Sequence, residues 1–245
     1  NDAHPDLKAD YVLANPPFNQ SDWGVNILQE DARWKYWVPP SGNANYGWIE
    51  HMLYHTAPNG IVSTVRSNGS LSSNTSWEWD IRKHLIANDL VECIVALPKQ
   101  LFYNTWIPAC IWFLRRERTV RNNEILFIDA SELWFMKDRV HRDLADTDIE
   151  KIADTYHNWR KSKSSTAEYE DEVGFSKSAG IEEVKKHDYV LTPWRYVWIP
   201  EEEDDWIPFE VKMEALTKTL WEQKNKEEEM NDEIKKQLAK IGFTL

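Results

Sequence analysis

Asn15-Pro16-Pro17-Phe18 follows directly on the apolar run Tyr11-Val12-Leu13-Ala14. Its residue types suit one kind of reaction, the transfer of a methyl group to an amino nitrogen. The exocyclic nitrogen of a base is a poor nucleophile because its lone pair is delocalised into the ring. The Asn15 side-chain oxygen and the Pro16 carbonyl can accept both N–H hydrogens. That draws the nitrogen toward tetrahedral geometry and stabilises the positive charge that grows as the methyl arrives. Neutral acceptors suffice, and no general base has to act first. Consecutive prolines fix φ and offer no competing N–H donor, so Pro17 stiffens the turn. Phe18 offers an apolar face on which an extruded base can stack. The alternative is a rigid turn that only closes a strand. Placement at the carboxyl end of a buried strand favours chemistry, because open α/β sheets bind their ligands there.

The elements that must hold this turn can be read from the pattern. Tyr11–Ala14 reads as a short strand stopped by the prolines. Residues 19–45 show no period and form a long loop. Asn45 is expected to cap a helix from Tyr46 to Ala57, stopped by Pro58-Asn59-Gly60. Gly60–Val65 is a second strand, Ser67-Asn68-Gly69 a turn, and Trp79–Ala87 a helix with Ile81, Leu85 and Ile86 on one face. Leu90–Leu97, Pro108–Leu114 and Glu124–Asp129 read as three further strands. The connection between the first two of these is too short for a parallel crossover, so they are expected to pair antiparallel. The whole predicts an α/β fold with a doubly wound, Rossmann-like sheet. Thr147-Asp148-Ile149-Glu150 reads as a capping box opening a helix to Trp159, residues 161–172 as a polar link, and Ile181–Lys186 as a short helix. Beyond the acidic run Glu201–Asp205, a long helix from Phe209 to Ile241 carries Met213, Leu216, Leu220, Met230, Ile234, Leu238 and Ile241 at 3–4 spacing. Gln223 and Glu227 interrupt this stripe, which suits either its own domain or a partner helix. Three regions are expected: residues 1–130, 131–200 and 201–245.

The chain has 245 residues, 29 Lys+Arg against 41 Asp+Glu and a formal net charge of −12. That excludes a general nucleic-acid coat but not an enzyme whose grip on a nucleic acid comes from a partner. The imbalance is uneven: residues 1–120 hold 10 Lys+Arg and 12 Asp+Glu, so the excess acid lies in the second half. No apolar run is long enough to span a membrane, and the polar, acidic start Asn1-Asp2-Ala3-His4-Pro5 leads to the expectation of no signal peptide. Cys93 and Cys110 sit in apolar runs and read as buried thiols of a cytoplasmic protein. Arg33, Lys35 and Arg66 fall in loops near strand ends, where they could reach phosphates or be ordinary surface charges. His51 and His55 lie four apart, but no third ligand stands nearby in sequence, so a helix-surface pair is expected and no metal. Arg115-Arg116-Glu117-Arg118 reads as a charge-protected strand edge.

Asp10–Phe18 resembles motif IV of amino-group DNA methyltransferases. The likeness continues through Asn43–Leu53, Ile81–Ile86, Leu97–Thr105, Ile107–Cys110, Phe127–Ser131 and Asp188–Val197, all similar to modification (M) subunits of type I restriction-modification systems. It covers about residues 8–200. It implies N6-adenine methylation of DNA with S-adenosylmethionine, catalysed through Asn15, Pro16, Pro17 and Phe18, with Asn15 also touching the cofactor. The implied partners are DNA, a specificity (S) subunit, a second M subunit and a restriction (R) subunit, with no membrane. The final helix would dock near the S subunit. No Gly-x-Gly occurs among the eight glycines, whereas the family's cofactor loop is glycine-rich and lies upstream of motif IV. The chain is therefore expected to be the later part of such a subunit, lacking the first strands and inactive in isolation. The rival expectations are a methyltransferase of protein glutamine or RNA, and a non-catalytic assembly module.

Overall fold

A computed structural model of the chain describes residues 2–24, 28–75, 77–103, 105–197 and 209–240. The chain divides into two compact units, Asn1–Pro200 and Glu201–Leu245.

The first unit is built on six strands: β1 (Ala9–Ala14), β2 (Thr56–Ser67), β3 (Val91–Ala96), β4 (Ala109–Arg115), β5 (Glu124–Asp129) and β8 (Ser176–Gly180). Their order is β1-β2-β4-β3-β5-β8. β1 runs parallel to β2 and β3 parallel to β5, while β4 is antiparallel to both β2 and β3. The short β3–β4 connection thus makes the antiparallel pair its length demands. The strands β1, β2, β3 and β5 all point one way, and their carboxyl ends share one edge of the sheet.

Alternation along β3 sorts the core. Ile94 joins one apolar cluster, with Ile49 and Leu53 of α1 (Asn45–Tyr54) and Ile81, Leu85 and Ile86 of α2 (Glu78–Ala87). Cys93 and Val95 join a second cluster on the opposite face, with Tyr156 and Trp159 of α3 (Asp146–Arg160). Both cysteines are free and buried. Helices on both faces of a mixed sheet confirm the α/β expectation.

Several boundaries move. The first helix stops at Tyr54, and residues 56–60 belong to β2. Gly60 is no helix stop: a side chain there would meet the Ala9 carbonyl oxygen at 2.8 Å. Glycine lets β2 approach β1 closely beside the register shift between Ala9 and Tyr11. α3 starts before Thr147, with Asp148 Oδ2 accepting from the Ala145 amide at 3.1 Å. Within residues 131–200, β8 extends the sheet by pairing with β5. The same stretch holds a two-stranded hairpin, β6 (Phe135–Met136) and β7 (Arg142–Asp143), then the expected α4 (Ile181–Lys186) and a short α5 (Trp194–Val197). The second unit contains α6 (Phe209–Lys240). On it Met213, Leu216, Leu220, Met230 and Ile234 are all exposed. The acidic run and Ile241 lie outside the described residues.

Candidate functional site

Ala14, the last residue of β1, pairs with Thr64, so residues 15–18 leave the sheet at its carboxyl edge beside Val65–Ser67. Asn15 is exposed. Among the described residues nothing bonds its amide, which leaves its oxygen and NH₂ for a ligand. Pro16 is half-buried and Pro17 exposed. Phe18 packs against the α3-side cluster and meets Phe102 edge to face, with ring centroids 6.3 Å apart at 83°. Phe102 belongs to the β3–β4 connection, whose Tyr103, Trp106 and Ile107 are exposed at the same edge. The structure therefore joins the tetrapeptide to a second aromatic segment 84 residues later in the chain.

Behind the turn lies a polar knot. Asn19 takes a left-handed conformation (φ 52°). Its amide donates to Asn45 Oδ1 at 3.1 Å, and Asn45 Nδ2 donates back to Asn19 Oδ1 at 2.9 Å. Ser67 Oγ donates to the same Asn19 oxygen at 3.2 Å. Arg66 Nη2 donates to Asn45 Oδ1 at 2.5 Å. Asn45 is thus the first residue of α1, where sequence makes it the cap. Its side chain is spent on the turn after Phe18, and α1 has no side-chain cap.

The three basic candidates do not gather at this edge. Arg66 lies within β2, not in a loop, and is 0 % exposed. Burial pushes its guanidinium down to about 10, and it cannot reach a phosphate without moving the core. Arg33 is held by Asp31 at 2.6 Å and faces His51 Nδ1 at 3.1 Å. That hydrogen bond with Asp31 holds the Asp31 carboxyl below its usual value. Lys35 is exposed, with Nζ 5.7 Å from the Tyr36 ring. Arg33 and Lys35 share a pocket with Lys8, Tyr54 and Arg116, at the amino end of β1. The six residues of β1 separate Lys8 from Asn15, roughly 20 Å.

His51 and His55 do acquire a third neighbour from across the fold. Asp2 Oδ2 lies 2.8 Å from His55 Nε2, and one ligand atom from each of the three falls within 4.8 Å of the others. His55 Nδ1 faces the Leu7 carbonyl at 3.1 Å. With Arg33 already at His51 and both His55 nitrogens facing oxygen acceptors, the cluster works as a polar clip. It ties the segment before β1 to the end of α1. The basic run after β4 is likewise structural: Arg115 pairs with Glu92, Arg116 donates to the Thr56 carbonyl, and Arg118 pairs with Asp89.

The sequence profile of the N-6 DNA methylase family matches residues 1–205. The chain is 52% identical over 240 residues to the type I restriction enzyme HindI methylase subunit of Haemophilus influenzae, covering 98% of this chain and 53% of that protein. It is 42% identical over 250 residues to the MjaIX methylase subunit of Methanocaldococcus jannaschii, covering 99% and 44%. It spans about half the length of these relatives. A crystal structure of a type I restriction-modification methyltransferase subunit from Streptococcus thermophilus superposes with a TM-score of 0.70 at 30% identity, over 81% of this chain and 40% of that one. The chain belongs to the N-6 DNA methylase family.

Proposed function

We propose that this chain supplies the acceptor half of the active site in the modification subunit of a type I restriction-modification system. Its reaction is methylation of adenine N6 in DNA. The observation that carries this reading is the exposed amide of Asn15, unbonded among the described residues, at the carboxyl edge of the sheet, beside Phe18, in a member of this family. Asn15 Oδ1 and the Pro16 carbonyl accept the two amino hydrogens, Pro17 holds the turn rigid, and Phe18 forms the apolar wall on which the flipped base rests. S-adenosylmethionine supplies an electrophilic methyl group when bound. Of this chain's residues Asn15 is the one that the family resemblance assigns to touch it. The residues present fit the acceptor side. Partners follow from the same reading: DNA, an S subunit that reads the sequence, a second M subunit and an R subunit, in the cytoplasm. No helix of the described residues is long and apolar enough to cross a membrane.

The test is Asn15→Ala in the full-length subunit assembled with its S subunit, followed by transfer of radiolabelled methyl to duplex DNA. Loss of one of the two acceptors is expected to lower the transfer rate by about 10²–10³-fold, with DNA binding retained. Labelling of RNA or protein but not DNA overturns the substrate assignment.

A further inference from the structure

We propose that Asn45, held by the buried Arg66, is a positioning residue that aims the tetrapeptide by locking the residue behind it. This rests on the functional reading above and deepens it. The tetrapeptide has two ends. One is fixed by β1, through Ala14 against Thr64. The other passes into Asn19 at φ 52°, a left-handed conformation that asparagine adopts more readily than other L residues and that its neighbours here hold in place. Asn19 is gripped by Asn45 through a reciprocal pair of hydrogen bonds at 3.1 and 2.9 Å, with Ser67 Oγ as a third at 3.2 Å. One residue further, the Gln20 carbonyl accepts from the Ala44 amide at 2.9 Å.

The chemistry of the donors fixes which way the Asn45 amide points. A guanidinium has donors only, and so has a backbone N–H. The Asn45 atom that faces both Arg66 Nη2 and the Asn19 amide is therefore the oxygen. Its NH₂ must then face Asn19 Oδ1, and Asn19 cannot rotate its own amide without losing both that bond and the one from Ser67. Arg66 Nε and Nη1 meet no acceptor among the described residues. A cation buried to 0 % exposure with, among the described residues, a single side-chain acceptor is an expensive device for packing alone. Its directed contact is the oxygen that orients Asn19. Arg66 follows Thr64 on the strand against which β1 is paired, so both ends of the tetrapeptide are referred to β2.

The experiment uses the full-length subunit assembled with its S subunit, duplex DNA and S-adenosylmethionine, both at saturation. Asn45→Ala is expected to slow single-turnover methyl transfer about 10- to 100-fold, the cost of small misplacement of reacting groups, while Kd for DNA and for S-adenosylmethionine stays within about twofold. Asn45→Asp keeps the acceptor toward both Arg66 and the Asn19 amide but loses the donor to Asn19 Oδ1, and is expected to recover the rate only in part. Asn19→Gly, at an exposed position that leaves the core intact, removes the side-chain grip and is expected to slow transfer as well. It decides the matter if Asn45→Ala does not fold. Wild-type rates in Asn45→Ala and Asn19→Gly, or a loss confined to Kd, overturn the proposal. Asn15→Ala run alongside separates the two claims. If it methylates normally the reading of the site fails, and if it is inactive while Asn45→Ala is normal only the clamp fails.

Discussion

Glu50 shows how a single side chain records the path of the loop above it. It lies on α1 at 1 % exposure, with Oε2 accepting from the Tyr36 amide at 3.0 Å. Its Oε1 meets no donor among the described residues. Burial pushes its carboxyl up from 4.5 to about 8, so it is mostly protonated in the folded protein at neutral pH. A raised acid pKa means that the native state binds the proton more tightly than the unfolded chain. Stability from this group is complete below about 4.5 and drains away as pH rises toward about 8. The slope approaches about 1.4 kcal/mol per pH unit. Thermal unfolding followed by circular dichroism is expected to show a lower Tm at pH 8 than at pH 5 from this source. Glu50→Gln should flatten that difference and raise Tm at pH 8. An unchanged pH dependence in the variant places the titrating group elsewhere. Tyr46, fully buried one turn earlier, has its hydroxyl pushed up to about 12 by the same desolvation but donates to the Ser70 carbonyl, and so costs nothing at physiological pH.

At the scale of elements, two helices have opposite relations to the core. α2 places Ile81, Leu85 and Ile86 at 0–1 % exposure, and its face is accounted for inside the first unit. α6 presents Leu216 at 64 % and Leu220 at 65 % exposure. An apolar stripe left in water over this many turns is a liability unless something covers it. With the heptad-like spacing of the stripe, the S subunit's helices are the expected cover. Deleting residues 206–245 should abolish co-purification of the S subunit while the sheet unit keeps its Tm. Undiminished assembly refutes the docking role. β1 illustrates the same logic in a sheet. Tyr11 and Leu13 are 78 % and 81 % exposed at the outer edge of the described sheet, although their sequence reads as a buried strand.

Taken whole, the molecule carries a net charge of −12, and its conspicuous cations are turned inward or paired. Arg66 is buried, Arg33 is clamped by Asp31, and Arg115 and Arg118 answer Glu92 and Asp89. Few phosphate neutralisations are available to such a surface. This chain by itself is therefore expected to bind duplex DNA no better than about 10⁻⁴–10⁻⁶ M at physiological salt, with a shallow dependence of log K on log salt. Fluorescence anisotropy titrations over a salt series check this. A steep slope, and its reduction by Lys35→Ala, would return the basic loop to the DNA interface.

What the sequence determined was local or periodic. The strand before the prolines, the helix faced by Ile81, Leu85 and Ile86, and the antiparallel β3–β4 pair follow from spacing and connection length, which are properties of neighbouring residues. The reactive tetrapeptide was legible because its chemistry is contained in four consecutive residues. The tertiary structure decided everything that depends on approach between distant segments. Gly60 punctuates like a helix stop but serves close packing of β2 on β1. Arg66 looks like a loop charge, yet alternation along a longer strand turns it inward. Asn45 looks like a cap, yet Asn19, 26 residues away, claims its amide. Asp2 meets His55 only because the fold brings position 2 beside position 55. Propensity acts over a few residues and solvation over a whole surface, so a side chain's type can announce its chemistry while only packing decides its partner.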